Sequence, residues 1–122
     1  MAKSLFDKYG GFKAVSRVVM SFYEKALDSD QIGDYFEDID MPRLIDHQTK
    51  FVASLLGGPA SFSDERLQKV HASLRLSHED FDEMSKLLRE SLIEHSFEPG
   101  DVDAVIAEIE ARRRPIIAQD PT

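Results

Sequence analysis

A histidine placed on an apolar helical face is the feature of this chain best suited to chemistry. Leu67, Val70, His71 and Leu74 recur at i, i+3, i+4 and i+7, the repeat of one face of a helix. A histidine in that register points inward, where an imidazole is costly unless its nitrogens find partners. A metal is one such partner, and iron held by a single protein histidine is the haem arrangement. A backbone carbonyl or a buried water would serve as well, so His71 alone does not decide. No second His, Asp or Glu stands at a metal-site spacing within the same short helix, which argues against zinc.

A second polar constellation lies upstream. Leu44, Phe51, Val52 and Leu55 form the apolar face of one predicted helix, and Gln48 falls in its middle, four residues from Leu44 and four from Val52. In the helix before it, Tyr23 borders an apolar stripe directly after Phe22. An inward phenol and an inward amide bring donors that need partners. They would suit a small polar ligand that gains negative charge when held at a metal. Each has an ordinary alternative: Tyr23 with its hydroxyl in water, Gln48 at a polar seam between helices.

The elements that must position these residues are helical throughout. Ser4 to Tyr9 reads as a short opening helix stopped by Gly10-Gly11. The next helix starts near Phe12 and ends near Leu27 to Ser29, with Phe12, Val15, Val19, Phe22 and Ala26 as its stripe and Val18 widening it. Ile32 to Ile39 is an irregular stretch containing Tyr35-Phe36. Asp40 suits an N-cap, with Pro42 tolerated in the first turn of a helix over Met41 to Leu56. Gly57-Gly58-Pro59 stops that helix, and Ala60 to Asp64 reads as loop. A short helix over Glu65 to Ser73 carries His71. Ser77 to Asp80 resembles a capping box opening a helix that reaches Glu94, with Phe81, Met84, Leu88 and Leu92 inward and Leu87 and Ile93 widening the stripe. After Pro99-Gly100 the last helix spans Asp101 to Arg113, burying Val102, Val105, Ile106 and Ile109. Arg112, Arg113 and Arg114 would complement its C-terminal dipole. His78 and His95 read as surface residues. The fold class is all-α: one domain over residues 1–122, with its core at about 4–117 and a frayed tail at 118–122.

Composition narrows the partners. The 122 residues carry a net charge of −8, which argues against nucleic acid and anionic membrane surfaces. Cysteine is absent, removing disulfides, thiolate metal sites and redox thiols and fitting a cytoplasmic protein. No apolar run has the length of a membrane span, and the N-terminus lacks the apolar core of a signal peptide. No exposed apolar stripe calls for a dimer, so a monomer is expected. No nucleophile elbow or phosphate-binding glycine loop occurs.

Taken together, Gly10-Gly11, Phe22-Tyr23-Glu24, Tyr35-Phe36, Asp40-Met41-Pro42-Arg43-Leu44, His47-Gln48, Phe51, Leu56-Gly57-Gly58-Pro59 and Val70-His71 resemble group I truncated haemoglobins in order and spacing. The resemblance runs from about Ser4 to Ile117. It implies a two-over-two helical sandwich enclosing one b-type haem without covalent linkage. His71 matches the proximal iron ligand, Tyr23 the distal tyrosine, Gln48 a distal glutamine, and Phe36 the aromatic packed on the haem. Phe51 and Val52 would line the distal wall or the gas route, and Leu67, on the face of His71, would also line the cofactor. Leu44 occupies a distal position where some members have glutamine; leucine donates nothing, which leaves Tyr23 and Gln48 as the donors. His47 stands where many members have a propionate-binding lysine and some cyanobacterial members a histidine that serves as sixth iron ligand; both roles stay open. The segment Glu65 to Lys69 lacks an arginine pattern common in relatives, with Arg66 or Lys69 as candidate substitutes.

Three functions are thus distinguished. The first is reversible binding of O2, NO and CO at haem, with nitric oxide dioxygenation as an activity that would need a reductase or other electron donor. The second is a redox or gas sensor in which His47 holds the resting iron. The third is a haem-free helical interaction module with a hydrogen-bonded His71.

Overall fold

Ser4 opens the first helix by accepting the Asp7 amide on its hydroxyl at 3.1 Å. This helix, α1, spans Leu5–Lys8. A computed structural model of the chain describes residues 4–58 and 76–117. Gly10 and Gly11 follow at φ of 105° and 76°, left-handed conformations that glycine adopts without the steric cost of a Cβ. The turn they make lets α2 (Phe12–Asp28) start at once. The Phe6 amide bonds the Leu56 carbonyl at 2.9 Å, tying α1 to the far end of the third helix.

Asp40 caps α3 (Met41–Leu55) by accepting the Arg43 amide at 3.3 Å, with Pro42 in the first turn, where no helical N–H bond is lost. Between α2 and α3, the irregular stretch contains a single 3-10 turn, Gly33–Phe36. The Ser77–Asp80 capping box forms in both directions and opens α4 (His78–Glu94). Next comes α5 (Pro99–Glu110), which starts at the proline itself and not at Asp101. Proline has no N–H to lose there and its φ is already helical.

The chain then turns at Ala111 and Arg112 into α6 (Arg113–Ile117), where the sequence suggested one helix running to Arg113. Arg113 is therefore no C-terminal dipole partner of α5. Its guanidinium bonds Asp82, Glu110 and the His78 carbonyl, and lies 4.4 Å from the centre of the Phe81 ring.

All regular structure among the described residues is helical. α2 packs mainly on α3 and α4, and α4 also on α5, so two helix pairs are joined across α2 and α4. Val15, Val18, Val19 and Ala26 of α2 meet Val52, Ala53 and Leu56, Leu88 and Leu92, and Val102 and Val105 in one continuous core. Two expected stripe residues lie outside it: Phe12 is 43% exposed and Ile93 57%. Phe12 instead meets the Phe6 ring edge-on at 4.9 Å. Ser91, fully buried, takes an inward place on α4 by returning its hydroxyl to the Leu87 carbonyl at 2.9 Å. No described helix is long and apolar enough to cross a membrane.

Candidate functional site

Tyr23 is placed by the register of α2. Val15, Val19 and Ala26 face the core, and the tyrosine shares that face because it lies four residues after Val19 and three before Ala26. Its side chain is 6% exposed. The rings of Phe22 and Phe36 meet it edge-on, with centroids at 4.9 Å and 5.4 Å. Burial pushes the phenol well above its ordinary pKa, so the hydroxyl stays protonated and keeps its proton for donation. It makes no hydrogen bond to any described residue.

The third helix presents two neighbouring stripes. Thr49, Val52, Ala53 and Leu56 are buried against the core, and Thr49 satisfies its hydroxyl on the Ile45 carbonyl at 2.7 Å. Leu44, Gln48, Phe51 and Leu55 run beside them; Phe51 and Leu55 are buried, while Leu44 and Gln48 are half-buried. The side-chain amide of Gln48 makes no hydrogen bond to a described residue. His47, one position round the helix, is exposed.

These placements sort the sequence-predicted residues. Tyr23, Phe51 and Val52 lie in one buried cluster, with Phe36 and Leu44 packed on its margin. Gln48, half-buried, and His47, exposed, both stand outside the cluster. His71 and Leu67 fall outside the described residues, as do the expected loop at 60–64, the short helix at 65–73, and the tail. His95, expected at the surface, is half-buried, with Nε2 2.8 Å from the Ser21 hydroxyl.

Tyr35 received no role of its own from the sequence, and Asp80 only its place in the capping box. The Tyr35 hydroxyl donates to the Asp80 carboxylate, tying the 3-10 turn that carries Phe36 to the first turn of α4. Burial and this bond together push the Tyr35 phenol up to about 12. For Asp80, burial opposes ionisation, but donors from Tyr35, Gln31 and Ser77 outweigh it and hold the carboxyl below its usual range. The pair is separated by 45 residues in the chain, and periodicity carries no signal for such a contact.

A haem is gripped mainly by apolar walls and one axial imidazole, and needs donors only where its ligand sits. A phenol on a buried side chain, with no described partner, set against a half-buried apolar margin fits that group. No set of three His, Asp or Glu side chains able to hold a bare metal ion occurs among the described residues.

Known proteins resemble the chain over nearly its whole length. The model of the bacterial-like globin family matches residues 4–117. A group 1 truncated haemoglobin of Tetrahymena pyriformis is 31% identical over 106 residues, covering 87% of this chain and 84% of that protein. One from a Synechocystis species is 32% identical over 108 residues, covering 88% and 87%. Among solved structures, the Fe(III) form of the Tetrahymena pyriformis truncated haemoglobin superposes with a TM-score of 0.86 at 26% identity, over 94% of this chain and 98% of that one. A Synechococcus 2/2 haemoglobin in the cyanomet state, with covalently attached haem, gives 0.88 at 26% identity, over 95% and 99%.

Proposed function

The chain belongs to the bacterial-like globins, as a group 1 truncated haemoglobin, and from that membership we propose that it reversibly binds O2, NO and CO at one b-type haem. The observation that carries the ligand chemistry is the Tyr23 side chain, 6% exposed, with a protonated hydroxyl that bonds no described residue.

When bound, haem supplies the iron that takes the diatomic ligand. The remaining work falls to this chain. His71 is assigned as the axial ligand by its matching sequence position. Tyr23 and Gln48 are assigned as donors toward the ligand. In an apolar pocket such donors strengthen with the negative charge they face, because little water competes. Leu44, Phe51 and Val52 would exclude that water, and Phe36, edge-on to Tyr23, would pack against the cofactor. Leu67 is assigned to the same lining. His47 keeps its two candidate roles, at a propionate or as sixth ligand, and its exposure on α3 fits the propionate contact more simply.

Nitric oxide dioxygenation is the enzymatic extension of this proposal. Net, O2 and NO combine with one electron to give nitrate, so turnover requires a one-electron donor of the reductase class. Sustained NO consumption with a reductant would support it; consumption limited to one equivalent would leave a ligand-binding protein.

The deciding experiment is a haem titration followed by visible absorption, ferric then ferrous, beside His71→Ala. The proposal expects a saturable one-to-one Soret band that the variant loses or alters, with the ferric spin state separating open from His47-bound iron. Haem should also stabilise the fold, by about 2.7 kcal/mol at 100 times its Kd. Absence of a specific band would leave a haem-free helical module.

A further inference from the structure

We infer that Asp80 is a positioning residue for the distal side of the haem pocket, acting through Tyr35 on Phe36 and so on Tyr23. The inference rests on the haem proposal above. The Asp80 carboxylate meets three donors. A capping box asks Asp80 only to accept the Ser77 amide, which it does at 3.3 Å. Here the same group also accepts the Tyr35 hydroxyl and the Gln31 side-chain amide, the latter at 3.1 Å. Both extra donors belong to the connector between α2 and α3.

Within the connector the bonds are all short-range: the Ser29 hydroxyl accepts the Gln31 and Ile32 amides, and backbone bonds close successive turns. Its 3-10 turn is four residues long and lacks a side-chain N-cap, so its own stability is slight. It is fixed from outside by the buried Ile32, by the two donors on Asp80, and by the Ser29 hydroxyl on Glu83 at 2.9 Å. Tyr35 immediately precedes Phe36 in the turn, and the Phe36 ring lies edge-on to Tyr23. A shift of the Tyr35 tether is therefore carried by one peptide unit to the ring against which the Tyr23 phenol is set. Burial alone does not explain the arrangement, since Tyr35 and Phe36 are each half-buried and would tolerate other rotamers.

The test uses ferrous, CO-bound holoprotein, reading the C–O stretch, the rate of haem loss to an acceptor globin, and the melting temperature. Tyr35→Phe removes only the hydroxyl, leaving the ring and the α4 cap in place. It should speed haem loss about three- to tenfold, the range set by the net worth of one hydrogen bond. It should also raise the C–O frequency, because a displaced Tyr23 donates less to the bound CO. Ser77→Ala, which weakens the same helix cap without touching Tyr35, should lower the melting temperature and leave the stretch in place. Asp80→Ala should match the Tyr35→Phe stretch, and the double variant should shift it no further. Should Tyr35→Phe fail to fold, Asp80→Asn reads the same band, with a smaller shift in the same direction.

A wild-type stretch and haem-loss rate in Tyr35→Phe would overturn the inference. So would an equal shift in Ser77→Ala, which would mean general loosening. A wild type that takes up no haem would instead sink the functional proposal, and this one with it.

Discussion

The Tyr23 side chain is 6% exposed and its hydroxyl bonds no described residue, which leaves its proton free for a ligand. A hydrogen bond to a ligand that gains negative charge is worth on the order of 1–3 kcal/mol where little water competes. Tyr23→Phe keeps the ring and its edge contacts with Phe22 and Phe36 and deletes only the donor. O2 should leave the ferrous variant about 5- to 150-fold faster, the range that this loss of stabilisation spans, read by stopped-flow displacement with CO. An unchanged rate would transfer the donor role to Gln48. The two residues were readable to different degrees. The sequence places Tyr23 only as bordering the stripe that runs through Phe22, with its hydroxyl in water as the alternative; the structure turns Tyr23 inward and leaves Phe22 half-buried. Gln48 is half-buried because α3 turns Thr49, Val52, Ala53 and Leu56 most deeply inward, a choice between adjacent stripes that the apolar pattern did not make.

At the scale of elements, caps were the most legible feature, because capping is chemistry between residues three apart. Ser77 with Asp80, and Asp40 with its following turn, form as read. The break between α5 and α6 was less legible: Arg113 begins α6, bonds Asp82 and lies over the Phe81 ring, both on α4. The connector between α2 and α3 supplies a prediction of its own. A Cβ on Gly33 would stand 2.9 Å from the Leu27 carbonyl oxygen, a backbone atom with little room to yield. Gly33→Ala should cost about 1–3 kcal/mol in urea unfolding, the usual penalty for overpacking. The cost is steric, and a loss within about 0.5 kcal/mol, the range of an ordinary surface change, would mean that the connector is free to move off the end of α2.

Across the whole molecule, three carboxyls with lowered pKa join separate elements, two of them far apart in the chain. Asp80 holds the connector to α4. Asp101 is lowered by Lys8 and then by Tyr9, joining α5 to α1. Glu110 is lowered first by Arg113, at the junction with α6. Each has a folded pKa below its unfolded value, so each contributes stability that is present above about pH 4 and is lost as pH falls through the depressed folded value. The stability gap between the wild type and Tyr35→Phe should therefore be full at neutral pH and close below about pH 4, as Asp80 protonates in both proteins. Urea midpoints across that range check it, and a gap independent of pH would show that the tether does not depend on the Asp80 charge.

The sequence by itself determined the helical class, most helix starts, the apolar faces, and a family resemblance carried by glycine pairs and a few polar residues at fixed spacing. These are local properties, decided by backbone sterics and by a 3.6-residue period. Only the tertiary structure decided which members of a stripe are covered: Phe12 and Ile93 face water while Ser91 lies in the core. It also decided that Tyr35 and Asp80 meet. Such pairings depend on where separate helices come to rest, and no local pattern encodes the partner of a side chain on another element.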